Sequence, residues 1–168
     1  MITEIFISDV EIAKIFIFSS DKDLNILYVI PGVATIPAPT MDIFEPIGKN
    51  NINVDMVIQN TSLDGKNANV TFTIKREDLS KTLSIIEKNK QKLNYNKIIH
   101  DDKLAKVSII GAGMIASPGV TYKMFRSLSE EKINILAIST SEIKISVLIR
   151  EHLTRKAIRK LHKTFGLN

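Results

Sequence analysis

Cysteine is absent from the 168 residues. That excludes disulfides and thiolate zinc sites and suits a reducing cytosol. Aromatic residues make up only 6% of the chain. Phe72 is the one aromatic on an expected central strand, too few for a sheet that stacks bases. His100, His152 and His162 show no metal-ligand spacing and no neighbouring nucleophile, so they are expected at the surface. Asp101-Asp102 reads as a solvated linker rather than a metal pair. No triad, phosphate-binding loop or paired carboxylates occur, so no catalytic residue and no metal ligand is assigned. Charge is missing from Leu24 to Met41. A spanning helix needs about 20 apolar residues, and Pro31, Gly32, Pro37 and Pro39 interrupt this stretch. Met1-Ile-Thr-Glu4 has no cationic region leading into an apolar run, so no signal peptide is expected.

What remains is ordinary for a globular protein: 44% hydrophobic and 24% charged residues, with a formal charge of +5. Lys88, Lys90 and Lys92 end one expected helix, and Arg155, Lys156, Arg159, Lys160 and Lys163 coat another. Solvated faces and cations near helix C-termini explain them better than nucleic-acid binding does.

One segment occurs twice. Pro37-Ala-Pro-Thr-Met-Asp-Ile-Phe44 and Asn51-Ile-Asn-Val-Asp-Met-Val-Ile-Gln-Asn60 align at one constant offset with Pro118-Gly-Val-Thr-Tyr-Lys-Met-Phe125 and Ile133-Asn-Ile-Leu-Ala-Ile-Ser-Thr-Ser141. A single offset without a gap means duplication. The period is far longer than a solenoid unit, so each copy is a small domain.

Apolar patterning predicts strands at Lys14–Ser20 and Asn25–Val33, separated by a turn at Asp21-Lys-Asp23. A helix follows from Pro39 to Lys49, and Pro46 inside it predicts a kink or an early end. Strands are predicted at Val54–Asn60 and Asn69–Ile74, joined by the turn Leu63-Asp-Gly-Lys66. A helix covers Glu77–Lys92, with Leu79, Leu83, Ile86 and Leu93 as its apolar stripe. After a strand at Tyr95–Ile99 and a linker at Asp101-Asp-Lys103, the order recurs. Lys106–Ile110 is a strand, Val120–Lys132 a helix, Ile135–Ser139 and Lys144–Ile149 strands, and His152–Thr164 a helix.

Each copy is therefore β-α-β-β-α plus one strand. That is an α+β fold of two tandem ferredoxin-like βαββαβ domains, with antiparallel sheets and helices on one face. The first domain is expected over 24–101. The second runs out of chain, and the early strand is expected to complete it, giving 14–20 plus 104–168. Residues 1–13 form a leader or linker.

Val107-Ser-Ile-Ile-Gly-Ala-Gly-Met-Ile-Ala116 imitates a dinucleotide fingerprint. Ser117-Pro-Gly119 delays the helix that the pyrophosphate would need, and no acidic residue ends the next strand, so the Rossmann reading is rejected. The Pro118-Gly119-Val-Thr121 turn is a better ligand site. The first N–H groups of the following helix are free donors that suit a carboxylate, Gly119 permits close backbone approach, and Thr121 adds a hydroxyl. Asn53, Gln59 and Asn60 match Asn134, Thr140 and Ser141. Such polar side chains at strand ends suit the amino group and side chain of a small ligand.

Lys106-Val-Ser-Ile-Ile-Gly-Ala-Gly-Met114, Ser117-Pro-Gly-Val-Thr121 and Asn134-Ile135 to Ile149 resemble the C-terminal regulatory region of aspartokinase. Ile43-Phe-Glu-Pro-Ile47 and Asn51 to Asn60 resemble its first regulatory repeat. The resemblance covers about Ser20 to Asn168. It implies tandem ACT domains that bind lysine, threonine or both and feed back on phosphorylation of aspartate. By position, it places effector contacts on the loop Thr35–Thr40, including Pro37 and Ala38, and on Asn53, Val54, Asp55 and Gln59. In the second copy they fall on Val120, Thr121, Asn134, Ile135, Ser139 and Thr140, beside the Ser117-Pro118-Gly119 turn and Ser141. The first loop departs from the family pattern: Ala38 replaces a glycine and Pro39 removes an N–H donor.

The Lys-Phe-Gly-Gly-Thr type segment that opens the family's catalytic part does not occur here. No kinase activity is expected from this chain alone. No cofactor is expected in it, since ATP and magnesium would belong to the kinase domain. The expected partners are L-lysine or L-threonine, a second copy paired through the ACT domains, and an aspartokinase catalytic domain or subunit, in the cytoplasm. Neither nucleic acid nor membrane is expected. Two other readings stand beside this one: a free-standing amino-acid sensor, and a nucleic-acid-binding module of the same sheet architecture.

Overall fold

A computed structural model describes residues 15–31, 38–61, 68–93, 95–111, 114 and 119–167. The chain divides into two compact units. One is Asp23–Asp102; the other combines Met1–Lys22 with Lys103–Asn168.

The first unit contains α1 (Ala38–Lys49), β2 (Val54–Thr61), β3 (Ala68–Lys75), α2 (Leu79–Lys88) and the short α3 (Lys90–Leu93). The second contains α4 (Val120–Glu130), β5 (Ala137–Thr140), β6 (Lys144–Arg150) and α5 (Thr154–Phe165). Two long strands serve both: β1 (Ile15–Pro31) and β4 (Tyr95–Gly111) each run through the boundary between units. Strand order is β2-β3-β1-β4-β6-β5. The described pairings are antiparallel: β1 with β3, β2 with β3, β4 with β6 and β5 with β6. The fold is α+β, as the sequence predicts.

The two continuous strands correct two expectations. Asp21-Lys-Asp23 is not a turn, and Asp101-Asp-Lys103 is not a loop linker. Charged residues read as breaks when only composition is weighed. A strand tolerates them where side chains reach water, and Asp102 and Lys103 are exposed. Pro46 does not end α1 early either, since the helix continues to Lys49. The expected helix over Glu77–Lys92 is broken into a 3₁₀ turn at Arg76–Asp78, α2 and α3. The fifth helix likewise begins at Thr154, after a 3₁₀ turn at Glu151–Leu153. The predicted turn at Leu63-Asp-Gly-Lys66 lies outside the described residues.

Each unit has its own core. In the first, Val70, Phe72 and Ile74 of β3 meet Ile43 and Ile47 of α1 and Ile85 and Ile86 of α2. Phe44 packs edge-on to Phe72, with ring centroids 5.2 Å apart. In the second, Val107, Ile109, Ile145 and Val147 meet Met124 and Leu128 of α4 and Leu161 and Phe165 of α5. The duplicated positions carry duplicated roles. Ile43 and Met124, Ile47 and Leu128, and Ile52 and Ile133 are buried pairs at the repeat offset. Between the helix-facing apolar residues the strands carry small hydroxyls. Ser108 and Ser146 face each other across β4 and β6 and share a buried 2.8 Å hydrogen bond. Thr73 accepts the Met56 N–H at 3.1 Å beside the irregularity in β2.

Candidate functional site

The second copy is the better described. Gly119 precedes α4 with φ 95° and ψ −8°, in the left-handed region where glycine is favoured. Its carbonyl accepts the Lys123 N–H at 2.8 Å, the first turn of the helix. Among the described residues no side chain caps this end, and the N–H groups of Val120, Thr121 and Tyr122 precede the first helical bond. Val120 is buried and anchors the turn to the core, whereas Thr121 is exposed. Ser117 and Pro118 lie outside the described residues.

The far end of α4 turns sharply. The Ile133 N–H donates to Leu128 O at 2.9 Å, and the Lys132 N–H donates to Ser129 O at 2.9 Å. This hydrogen-bonded stop requires a left-handed residue, and Lys132 supplies it with φ 56°. An open hollow of about 470 Å³ forms there, lined by Phe125, Ser129, Lys132, Ile133, Asn134 and Ile135. Asn134 and Ile135 were expected at a ligand site. Phe125, Ser129 and Lys132 were not. A usable signal was the four-residue spacing of Thr121, Phe125 and Ser129, which sets one face along the helix.

The expected residues do not gather in one place within one copy. Gly119 and Thr121 open α4, while Asn134 and Ile135 follow its end. Eleven helical residues span about 16 Å, longer than a small amino acid. On β5, Ile138 and Thr140 are exposed and alternate with half-buried Ala137 and Ser139. Neighbouring Ser139 and Thr140 therefore face opposite sides of the strand. Ser141 closes the hairpin, its N–H donating to Lys144 O at 2.7 Å.

In the first copy, Ala38 begins α1 and Thr40 lies in its first turn; Thr35 and Pro37 lie outside the described residues. Asn53, Asp55 and Gln59 are exposed and Val54 is half-buried. The turn after α1 repeats that after α4: Ile52 N–H to Ile47 O at 3.3 Å, Asn51 N–H to Gly48 O at 2.9 Å, and Asn51 at φ 56°.

Gly111 ends β4, and α4 begins only at Val120. Residues 112, 113, 115 and 116 of the glycine motif lie outside the described residues. Among the described residues, no cluster of three or more His, Asp or Glu side chains is placed to hold a metal. Among the same residues, no helix is long and apolar enough to cross a membrane.

Two copies built on one repeat, each with a helix, two strands and a second helix in the same order, define a tandem ACT-domain protein. The ACT domain family matches residues 29–89 and 107–165. The aspartokinase of Bacillus sp. strain MGA3 is 44% identical over 75% of this chain, and the aspartate kinase of Pseudomonas putida is 42% identical over 83%. The chain spans only 30% and 34% of those two proteins. Among solved structures, one of aspartokinase alpha and beta subunits is 39% identical with a TM-score of 0.80; the match covers 92% of this chain and 99% of that one. The ligand-free regulatory subunit of Thermus thermophilus aspartate kinase is 28% identical with a TM-score of 0.81, covering 93% and 99%. The chain belongs to the aspartokinase family and corresponds to its regulatory region of tandem ACT domains.

Proposed function

We propose that the chain binds an end-product amino acid, L-lysine or L-threonine or both, and passes feedback inhibition to a cytoplasmic aspartate kinase catalytic domain or subunit. The observation that carries this reading is the split of the site along α4. Free helix N–H groups and Thr121 lie at one end, and the Asn134 hollow lies at the other. One small ligand reaches both kinds of group only if a second chain brings the missing end. Such a site is empty of meaning in a monomer and couples ligand binding to assembly.

Exposed apolar residues support a paired state. Met41 and Tyr122 occupy one repeat position and are 70% and 66% exposed; Val57 and Ile138 occupy another and are 47% and 43% exposed. Duplication has kept a large apolar side chain facing water at the same two places in both copies, on the first helix and the outer strand. A second copy of the chain is the partner that fits a self-repeated patch. Escherichia coli aspartokinase III, of the same fold at 18% identity and a TM-score of 0.63, has been solved in complex with lysine and aspartate.

An effector shifts a kinase only as far as its affinity differs between the two states. Titration calorimetry with lysine, threonine and their mixture tests the reading, alongside the mass of the assembly in each condition. Binding of at least one amino acid by a dimer is expected. A folded dimer silent toward all three would sink it.

A further inference from the structure

Lys132 occupies a backbone position that suits it poorly. Its φ of 56° is one of only two positive values on non-glycine residues among those described; the other is Asn51 at the same repeat position. Asparagine tolerates the left-handed region, and lysine has no such local advantage. The first copy makes the same hydrogen-bonded turn with Asn51, so the fold does not need lysine there. A residue kept under backbone strain beside a hollow points to use rather than to folding.

The charges around the hollow sharpen this. Glu130 is bound by Arg126 at 2.9 Å and Lys160 at 2.8 Å, and Glu131 by Lys156 at 3.1 Å. The neighbouring carboxylates are thus engaged, and Lys132 is an exposed lysine lining the hollow with Asn134 and Ser129. The corresponding positions of the first copy are Asn51, Asn53 and Gly48, which carry no charge. A cation just past a helix end also gains from the dipole; the first copy takes that gain from Lys49 inside α1, which shows that it can be had without a left-handed lysine.

We propose that Lys132 is a specificity-determining residue of the second copy, whose ammonium meets a carboxylate of the ligand seated in this hollow. The inference rests on the amino-acid-binding reading above and adds the group that selects an acid over its neutral derivative. The ligand class is a free amino acid, not an amide or ester.

The test compares L-lysine and L-threonine with lysinamide and threoninamide, by calorimetry on the whole chain and on Lys132→Asn and Lys132→Arg. Asparagine already makes this turn in the first copy, so the variant keeps the fold. Loss of a charge-assisted hydrogen bond predicts a preference for the acid of about tenfold or more in the wild type. Lys132→Asn should lose most of that preference, the helix N–H donors keeping the remainder, and Lys132→Arg should keep more of it. An unchanged preference in Lys132→Asn overturns the inference and leaves amino-acid binding standing. So does a wild type that binds acid and amide equally. A wild type that binds neither defeats the functional reading itself, and this inference with it.

Discussion

Helix α1 of the first copy and α4 of the second stop in the same way and start in different ways. Both end on a left-handed residue at φ 56°, Asn51 or Lys132, followed by a buried isoleucine whose N–H reaches back to the helix. At the other end, Gly119 stands before α4 in a left-handed turn, whereas its repeat partner Ala38 is already the first residue of α1. The shared ending positions a core residue, Ile52 or Ile133. The divergent beginning faces the expected ligand. The two copies are thus alike where they build the core and differ at the start of their first helix, the place where the proposed function puts a ligand.

That comparison can be broken at its core. Ile47→Ala and Leu128→Ala remove the same repeat position from two separate cores. Each should cost about 2–5 kcal/mol in urea unfolding. A large loss at one and none at the other would show that the copies are not equivalent scaffolds. The helix starts should respond unequally. Gly119→Ala has open space for its methyl group, yet it must hold φ 95° and should lose about 1–2 kcal/mol. Ala38→Gly, inside a helix, should lose less than about 1 kcal/mol. Equal losses would mean that the helix starts do not differ as described.

At the shared ending, Lys132→Gly should gain about 0.5 kcal/mol, the relief of a left-handed lysine less the loss of a cation at the helix end. Asn51→Gly should change less. A drop in stability at Lys132 would mean that the lysine serves the fold. The smallest effect is a pH dependence confined to the first unit. Burial, together with a hydrogen bond to the Glu87 carboxylate, pushes the Tyr95 hydroxyl up to about 12 from 10. The folded state therefore favours neutral tyrosine. Its contribution is fully present below pH 10 and is lost as pH rises toward 12. Thermal unfolding across that window should become flatter in Tyr95→Phe. An identical slope in the variant would remove Tyr95 from the account.

Much of this was legible in the residues. The constant offset exposed the duplication, and apolar spacing placed the helices and most strands within a few positions. The long strands were not legible. Asp21-Lys-Asp23 and Asp101-Asp-Lys103 resemble turns, because charge marks exposure and not conformation. Whether exposed backbone continues a ladder depends on a neighbouring strand that sequence does not reveal. Pro46 does not shorten α1: its penalty is local, while Ile43 and Ile47 on either side bind the helix to the core. Of the residues lining the hollow, Asn134 was found by alignment to the repeat and Ile135 through the resemblance to aspartokinase. Lys132 was passed over, because nothing in its identity reports a backbone angle.

Calorimetry on matched substitutions in the two copies tests the inequality of the sites most directly. Asn53→Ala and Asn134→Ala remove the same repeat position, and both asparagines are exposed, so the fold should survive either change. The account predicts that Asn134→Ala weakens amino-acid binding by about tenfold or more, while Asn53→Ala leaves it nearly unchanged. Equal weakening by both, or a loss confined to Asn53→Ala, would contradict it.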